Sequence, residues 1–311
     1  MNEYKEALLL DIINHTYPEL SIESYRLYAW SWNSYVLEIN DNLIFKIPKT
    51  AKNQTLLERE IVVSDFLSKH LRVSVPRYEF TKKYKDSKLV AGYRKILGSP
   101  LSNQTYAGLN IGIPLSEIKA KYKIIAQLSR ILVKLHSLSP DDFVSIGVPD
   151  EHGEQWRERF EMFYYEVHDT VYPYLKKPLK KKIEKLFDMF LNNQTNFEFK
   201  PALIHGDFGG WNILFDNLTR KITGVIDWEN AVIGDAALDF SELLYDYGPE
   251  VTKKILNHYS IEIDAKFVER MKFYRSLAGL YDVIYGSRNS DPEILNRGLG
   301  TIKHDFGENN I

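Results

Sequence analysis

From about residue 115 onward apolar residues recur at helical spacing in almost every segment, with one interruption at LIHGDFGGWNILFDN, Leu203 to Asn217, and its sequel RKITGVIDWENA. A short β element is therefore embedded in a helical region. Two apolar runs, ALI and ILF, frame HGDFGGWN as a loop between short strands, and the three glycines let that loop turn tightly. The following FDNLTRKITGVID reads as a strand ending near Phe215, a turn through Asp216 to Arg220, and a strand from Ile222 to Ile226 that delivers Asp227 at its end. Such a hairpin brings Asp207, Asn212 and Asp227 to one edge. Two carboxylates and an amide oxygen are hard ligands suited to Mg²⁺, which binds through one or two carboxylates plus substrate phosphates.

The first hundred residues have another texture. A helix over 3 to 15 precedes a hairpin in SYVLEINDNLIFKIP, where Asn40, Asp41 and Asn42 form the turn and Lys46 lies on the second strand. A helix over 53 to 71 and strands near Pro76 to Phe80 and Leu89 to Leu97 complete a small α+β unit. The Gly/Pro connection LGSPL then sets the boundary, giving domains 1-97 and 98-311, the second mainly helical. Its helices are expected near 115 to 138, 153 to 172, 179 to 192, 235 to 247, 250 to 258 and 264 to 286. The basic run KKPLKKK at 176 to 182 reads as a solvated helix start.

Composition removes several function classes. A 311-residue chain that is 44% hydrophobic can bury the cores of two lobes. With 40 basic and 42 acidic residues, a formal net charge of -2, no overall positive field points to nucleic acid or an anionic membrane. The chain has no cysteine, hence no thiolate nucleophile, disulfide or Cys-ligated zinc. No apolar run approaches the ~20 residues of a membrane span and nothing resembles a signal peptide, so the expectation is a cytoplasmic, soluble protein; it is also expected to be a monomer.

His205, Asp207 and Asn212 reproduce the H-x-D-x-x-x-x-N catalytic loop of kinases, and Asp227 stands a hairpin later, where the metal-binding aspartate of D-F-G would lie. Singly, each has a plainer reading: Asp207 a turn aspartate, Asn212 a loop cap, His205 a buried structural histidine. Together with GVIDWENAVIGDAALDF they resemble the aminoglycoside phosphotransferase family, whose fold is protein-kinase-like and bilobal, and most closely its 2''-aminoglycoside members. EINDNLIFKIPK, LLEREIVVSDFL, GYRKILGSPL, KILNHY and IYG stand in the expected order.

The resemblance implies a Mg²⁺-dependent kinase with ATP or GTP as donor. Asp207 would be the catalytic aspartate, and Asn212 and Asp227 the metal ligands. Lys46 would contact the α- and β-phosphates and Glu60 would pair with it, Glu58 being the competing choice on another helix face. The competing reading of Lys46, between Phe45 and Ile47, is a strand lysine that alternates to solvent. Main-chain groups of Arg94 and Ile96, in a hinge from Arg94 to Gly98, would meet the purine edge. AWSWNSYV has no G-x-G-x-x-G, which leaves Ser31, Asn33 and Ser34 as the groups to approach the triphosphate. The D-F-G slot reads Asp227-Trp228-Glu229 and no A-P-E follows, which argues against a protein substrate.

From Ile222 to Thr252 there are seven acids and no lysine or arginine. Asp235 caps a helix start, while Asp239, Glu242 and Asp246 recur at i, i+3 and i+7 on one helix face. That face would attract a cationic acceptor. It also reads as a solvated acidic face, or, for Asp239, as a buried support of the catalytic loop. Tyr281, Asp282 and Tyr285, in an aromatic helix with Phe273 and Tyr274, are further acceptor contacts or core. The leading expectation is a kinase that phosphorylates a hydroxyl of an aminoglycoside. Trp228 keeps a macrolide acceptor open, with amino alcohols and sugars behind it. An idle nucleotide-binding kinase fold would have lost Lys46, Asp207, Asn212 or Asp227, and a histidine-ligated metal hydrolase would need close histidine pairs; neither feature is present.

Overall fold

The computed structural model describes residues 2–28, 31–85, 87–106, 109–110, 112–118 and 121–307. By its internal contacts the chain forms two compact units, residues 1–99 with 212–231, and residues 100–211 with 232–311. The first is α+β and the second mainly helical.

The first unit opens with α1 (Asn2–Thr16), followed by β1 (Tyr25–Tyr28), β2 (Ser34–Ile39), β3 (Leu43–Pro48), α2 (Ala51–Ser68), β4 (Tyr78–Tyr84) and β5 (Lys88–Arg94). The five strands form an antiparallel sheet in the order β1-β2-β3-β5-β4. Asn40 and Asp41, in the β2–β3 turn, take positive φ, as short polar side chains tolerate. The central strand β3 is buried along its whole length, so its period-2 alternation serves two covered faces. Leu43, Phe45 and Ile47 pack with Leu9, Ile12 and Ile13 of α1. The alternate residues, Lys46 among them, point to the other face, against which α2 brings Leu57 beside Leu89 and Ala91. Thr50 caps α2 by accepting the Asn53 amide at 3.2 Å.

The second unit begins with the two-residue strands β6 (Ser99–Pro100), β7 (Thr105–Tyr106) and β8 (Leu109–Asn110), of which β6 starts one residue before the unit's boundary. Helices α3 (Lys121–His136), α4 (Pro140–Val144), α5 (Glu154–Thr170) and α6 (Lys177–Leu191) lead to β9 (Ala202–Ile204). The chain then enters the first unit for the hairpin β10 (Ile213–Asp216) and β11 (Lys221–Val225). It continues in the second unit with β12 (Val232–Gly234), which pairs with β9, and with α7 (Ala237–His258), α8 (Phe267–Ser276), α9 (Ala278–Arg288) and α10 (Pro292–Phe306). No helix among the described residues is long and apolar enough to cross a membrane.

The expected helices are present with shifted ends. The helix expected from 115 splits into a 3₁₀ turn, Leu115–Glu117, and α3, and its residues 119–120 lie outside the described residues. The expected helices 235 to 247 and 250 to 258 run on as α7, kinked at Gly248 (φ 78°) before Pro249, and 264 to 286 divides into α8 and α9 at Leu277. Helices α4 and α10 and strand β12 had no expectation from sequence. Phe273 and Tyr274 are core: the Phe273 ring stacks on Phe190 at 3.6 Å, and the Tyr274 hydroxyl accepts from the Trp156 indole at 2.8 Å and donates to Asp235 at 2.8 Å.

Candidate active site

In the first unit the strand lysine is not a surface residue. Lys46 is 4% exposed, and its Nζ donates to Glu60 Oε2 of α2 at 2.6 Å and to Asp227 Oδ1 at 2.5 Å. Burial alone would lower its pKa; the charges of Asp227 and Glu60 more than reverse that, so the ammonium stays charged. Glu58 is exposed and accepts from Gln54 instead. Asp227 follows β11 in the left-handed region (φ 68°, ψ 59°), which turns its carboxylate back toward Lys46. Such a conformation in a non-glycine residue is a local strain of the kind that collects at functional sites. The Ile226 amide donates to the Asn212 carbonyl at 2.9 Å, so the hairpin ties Asn212 and Asp227 into the same unit.

Glu229 joins this cluster. Its carboxylate is buried, accepts from Asn33 Nδ2 at 2.5 Å on one oxygen, and leaves Oε2 without a partner. Burial, and then the charge of Asp227, push its pKa up to about 8. Oxygens of Glu60, Asp227 and Glu229 lie within 4.8 Å of one another. This convergence of hard oxygen donors, with Glu60 Oε1 and Glu229 Oε2 buried and unsatisfied, fits a divalent cation.

The segment before β2 is held by the same groups. Asn33 also accepts from Asn53 at 2.9 Å, and Lys49 donates to the Ser31 carbonyl at 2.7 Å. Ser34 is buried, with its hydroxyl unpartnered. Residues 29–30 of the expected phosphate-covering stretch lie outside the described residues. At the expected hinge, Arg94 ends β5 opposite Leu43 and its guanidinium pairs with Glu79 at 3.2 Å. Ile96 packs over Gly224, and the Leu97 carbonyl accepts from Thr223 at 2.6 Å.

In the second unit, Asp207 sits in the loop after β9 and accepts from the Trp211 indole at 3.1 Å. Asp239, fully buried on α7, takes the His205 and Gly206 amides, each at 2.9 Å, and His136 Nε2 at 3.0 Å. His205 is buried, and its Nδ1 accepts the Asp207 amide at 3.2 Å. Gly206 needs its positive φ of 78°, and a Cβ on Gly210 would sit 1.9 Å from the Leu101 carbonyl oxygen. The Gly210 amide donates to Asp246, which also accepts the Asn103 amide at 2.8 Å and the Ser102 hydroxyl at 3.3 Å. Burial pushes Asp246 up to about 6 despite those donors.

The three α7 acids expected on one face share that face, but it is turned inward. Asp239 and Asp246 are consumed by main-chain donors, so they hold loops and do not form a solvated patch. Glu242 is half-buried. Burial, and then the charge of Asp239, raise it to about 7, with Arg275 opposing. On α9, Tyr281 is 38% exposed and stacks on Phe163 at 4.2 Å, while Tyr285 is half-buried. Asp282 is buried and bound by the Arg297 fork at 2.7 and 2.9 Å.

Sequence reasoning missed Glu229, Trp211 and His136. Glu229 stands two residues after Asp227, and in the sequence it is one of the seven acids of 222 to 252 and a departure from D-F-G, with no site role. Trp211 stands within the H-x-D-x-x-x-x-N spacing, four residues after Asp207. His136, at the end of α3, carried no local signal at all.

Residues 25–272 match the phosphotransferase enzyme family. The chain is 26% identical over 180 residues to a viomycin phosphotransferase of Streptomyces vinaceus, a match covering 57% of this chain and 59% of that protein. Its fold is shared by the GDP and kanamycin complex of APH(2")-IIia, with a TM-score of 0.85 and 23% identity over 97% of this chain and 99% of the other. It is shared too by macrolide 2'-phosphotransferase type I, with a TM-score of 0.76 and 16% identity over 97% and 98%. With a kinase-like α+β fold, and a family match that spans most of its length, the chain belongs to the phosphotransferase enzyme family.

Proposed function

We propose that this protein is a small-molecule kinase that transfers the γ-phosphate of ATP or GTP to a hydroxyl of a cationic acceptor, an aminoglycoside in first place. The observation that carries the reading is the buried Lys46 ammonium held between Glu60 and Asp227. A charged lysine in that setting is arranged for polyphosphate, because phosphoryl transfer asks the protein chiefly for alignment and charge neutralisation. Residues 1-97 form the nucleotide-binding part and 98-311 the catalytic and acceptor-binding part, with the metal ligands supplied by the returning hairpin. Asn212 and Asp227 would hold Mg²⁺, which when bound neutralises charge on the nucleotide phosphates. Ser31, Asn33 and Ser34 approach the triphosphate, and the main chain at Arg94 and Ile96 meets the base.

Asp207 accepts the proton of the acceptor hydroxyl as that oxygen bonds to the γ-phosphorus and the bond to the nucleoside diphosphate breaks. The Trp211 indole fixes the rotation of the carboxylate, so little reorientation remains for the reacting state. Asp239 and Asp246 hold the loop on either side of Asp207, while Glu242, Tyr281 and Tyr285 face the acceptor and Asp282, buried with both oxygens on Arg297, supports them. The net charge of -2 gives no positive field to attract nucleic acid or an anionic membrane, and a monomer acting in the cytoplasm is part of the same proposal. The names of the relatives support an antibiotic acceptor, and Trp228 supports a macrolide as the second candidate. The test is nucleotide turnover with a panel of aminoglycosides, viomycin, macrolides, choline and sugars. Acceptor-dependent release of diphosphate with an aminoglycoside is expected; turnover with a neutral sugar alone would overturn the cationic acceptor.

A further inference from the structure

Glu60 uses one carboxylate oxygen on Lys46, and its other oxygen, Oε1, is buried with no hydrogen-bond partner. On β4, the hydroxyl of Tyr78 is buried in the same condition. The two residues share one wall of the first unit. The Tyr78 ring packs, with Ile61, on the cluster of Leu57, Leu89 and Ala91, so Leu57 and Ile61 bracket Glu60 along α2. The ring also stands edge-on to Tyr93 at 5.1 Å, which limits its tilt. Phenol and carboxylate are close enough to act on each other: burial and then the negative charge of Glu60 drive the Tyr78 pKa well up. Burial raises Glu60, and Lys46, together with the Tyr78 hydroxyl, pulls it back.

A buried donor and a buried acceptor, each lacking any other hydrogen-bond partner, are complementary, and a small rotation of either side chain closes the bond. We propose that Tyr78 is a positioning residue for phosphoryl transfer, its hydroxyl donating to Glu60 Oε1 so that Oε2 holds Lys46 on the nucleotide phosphates. A carboxylate held at both oxygens cannot rotate about its last bond, and the ammonium it carries is then fixed in place. The inference rests on the nucleotide-binding role of Lys46.

Tyr78→Phe removes the donor and keeps the ring. Kd for ATP and for GTP, each with Mg²⁺, is measured by isothermal titration calorimetry, with nucleotide KM and kcat for the best acceptor and the melting temperature alongside. Nucleotide Kd and KM are expected to rise several-fold while melting is unchanged. Tyr78→Leu, which lacks the same donor, is expected to give the same shift in Kd. In a Glu60→Gln background Tyr78→Phe is expected to add little, because the two act through one contact. Unchanged nucleotide Kd in both Tyr78 variants, or full additivity with Glu60→Gln, overturns the positioning role. If Lys46→Met and Glu60→Gln weaken nucleotide binding and the Tyr78 variants do not, only this inference fails. If Lys46→Met itself leaves nucleotide Kd intact, the nucleotide-site reading fails with it.

Discussion

Asp207 and Glu242 are both carboxylates of the second unit, and their surroundings give them different work. Asp207 is half-buried in a loop fixed by main-chain bonds to Asp239 and Asp246, with its own rotation set by Trp211. Asp207→Asn is expected to abolish acceptor phosphorylation while nucleotide affinity stays within a few fold. The loss in kcat should exceed the ~10²- to 10⁴-fold usual for acid-base catalysis, since the same group also orients the hydroxyl. Near-normal single-turnover rates in that variant would remove Asp207 from the chemistry. Glu242 is instead raised to about 7, by burial first and then by the charge of Asp239, with Asp246 and Asp282 adding and Arg275 opposing. It is therefore neutral below that pH and charged above it. KM for a cationic acceptor is expected to fall as pH rises through about 7, beyond what the acceptor's own titration gives. Glu242→Gln should flatten that dependence and raise KM at pH 8 with kcat little changed, the pattern of lost uniform binding. A pH profile identical in the variant would separate Glu242 from the acceptor.

At the level of elements, the β10–β11 hairpin and the start of α7 each put strain or charge where packing has to hold it. Asp227 leaves β11 in the left-handed region, and from that turn its carboxylate meets Lys46. Asp227→Ala is expected to remove productive Mg²⁺-nucleotide binding, and Asn212→Ala to weaken it less, because a carboxylate offers the ion a full charge and an amide only a dipole. Superimposable activity curves on Mg²⁺ titration for wild type and Asp227→Ala would contradict this. Ahead of α7, whose N-cap position is Ala236 and not the expected Asp235, Asp235 still accepts the Ala237 amide at 3.1 Å. It is also buried against Arg270 of α8, which contacts Asp235 at 2.6 and 3.2 Å and Asp264 at 2.7 and 2.8 Å. Arg270→Met would strand a buried carboxylate, and a loss of about 3–5 kcal/mol in unfolding free energy is expected from denaturant titration. A change under about 1 kcal/mol would mean that Asp235 is solvated or protonated instead.

Across the whole molecule, the proposed function assigns nucleotide binding and acceptor binding to residues of different units, and each predicts its own signature. Nucleotide at a hundred times its Kd is expected to stabilise the native state by about 2.7 kcal/mol, seen as a rise in melting temperature that Lys46→Met abolishes. An aminoglycoside acceptor should bind with a KM that rises with salt, because attraction between solvated charges weakens once the Debye length falls to ~8 Å or less. A salt-independent KM would shift the preference to a macrolide or another weakly charged acceptor.

What the chain determined by itself was local and periodic. The β2–β3 turn and the H-x-D-x-x-x-x-N spacing are written in residues that lie close together, where steric limits, alternation and short-range hydrogen bonds decide the outcome. The family and its kinase-like fold were legible for the same reason, since the motif and its flanks are contiguous. Which face a charge serves was not. Lys46 follows the strand alternation that would send a lysine to solvent, and only the packing of α2 over that face, with Glu60 at the contact, makes it a buried ion-pair centre. The acids of α7 show one helical face in sequence, whether they meet water or main-chain amides. The loops bearing Gly206, Gly210 and Asn103 are distant in the chain, and their docking spends Asp239 and Asp246 on structure and leaves Glu242 the half-buried one. Burial and partnership arise from contacts between segments far apart in sequence, so the use of each charge was settled by the tertiary structure.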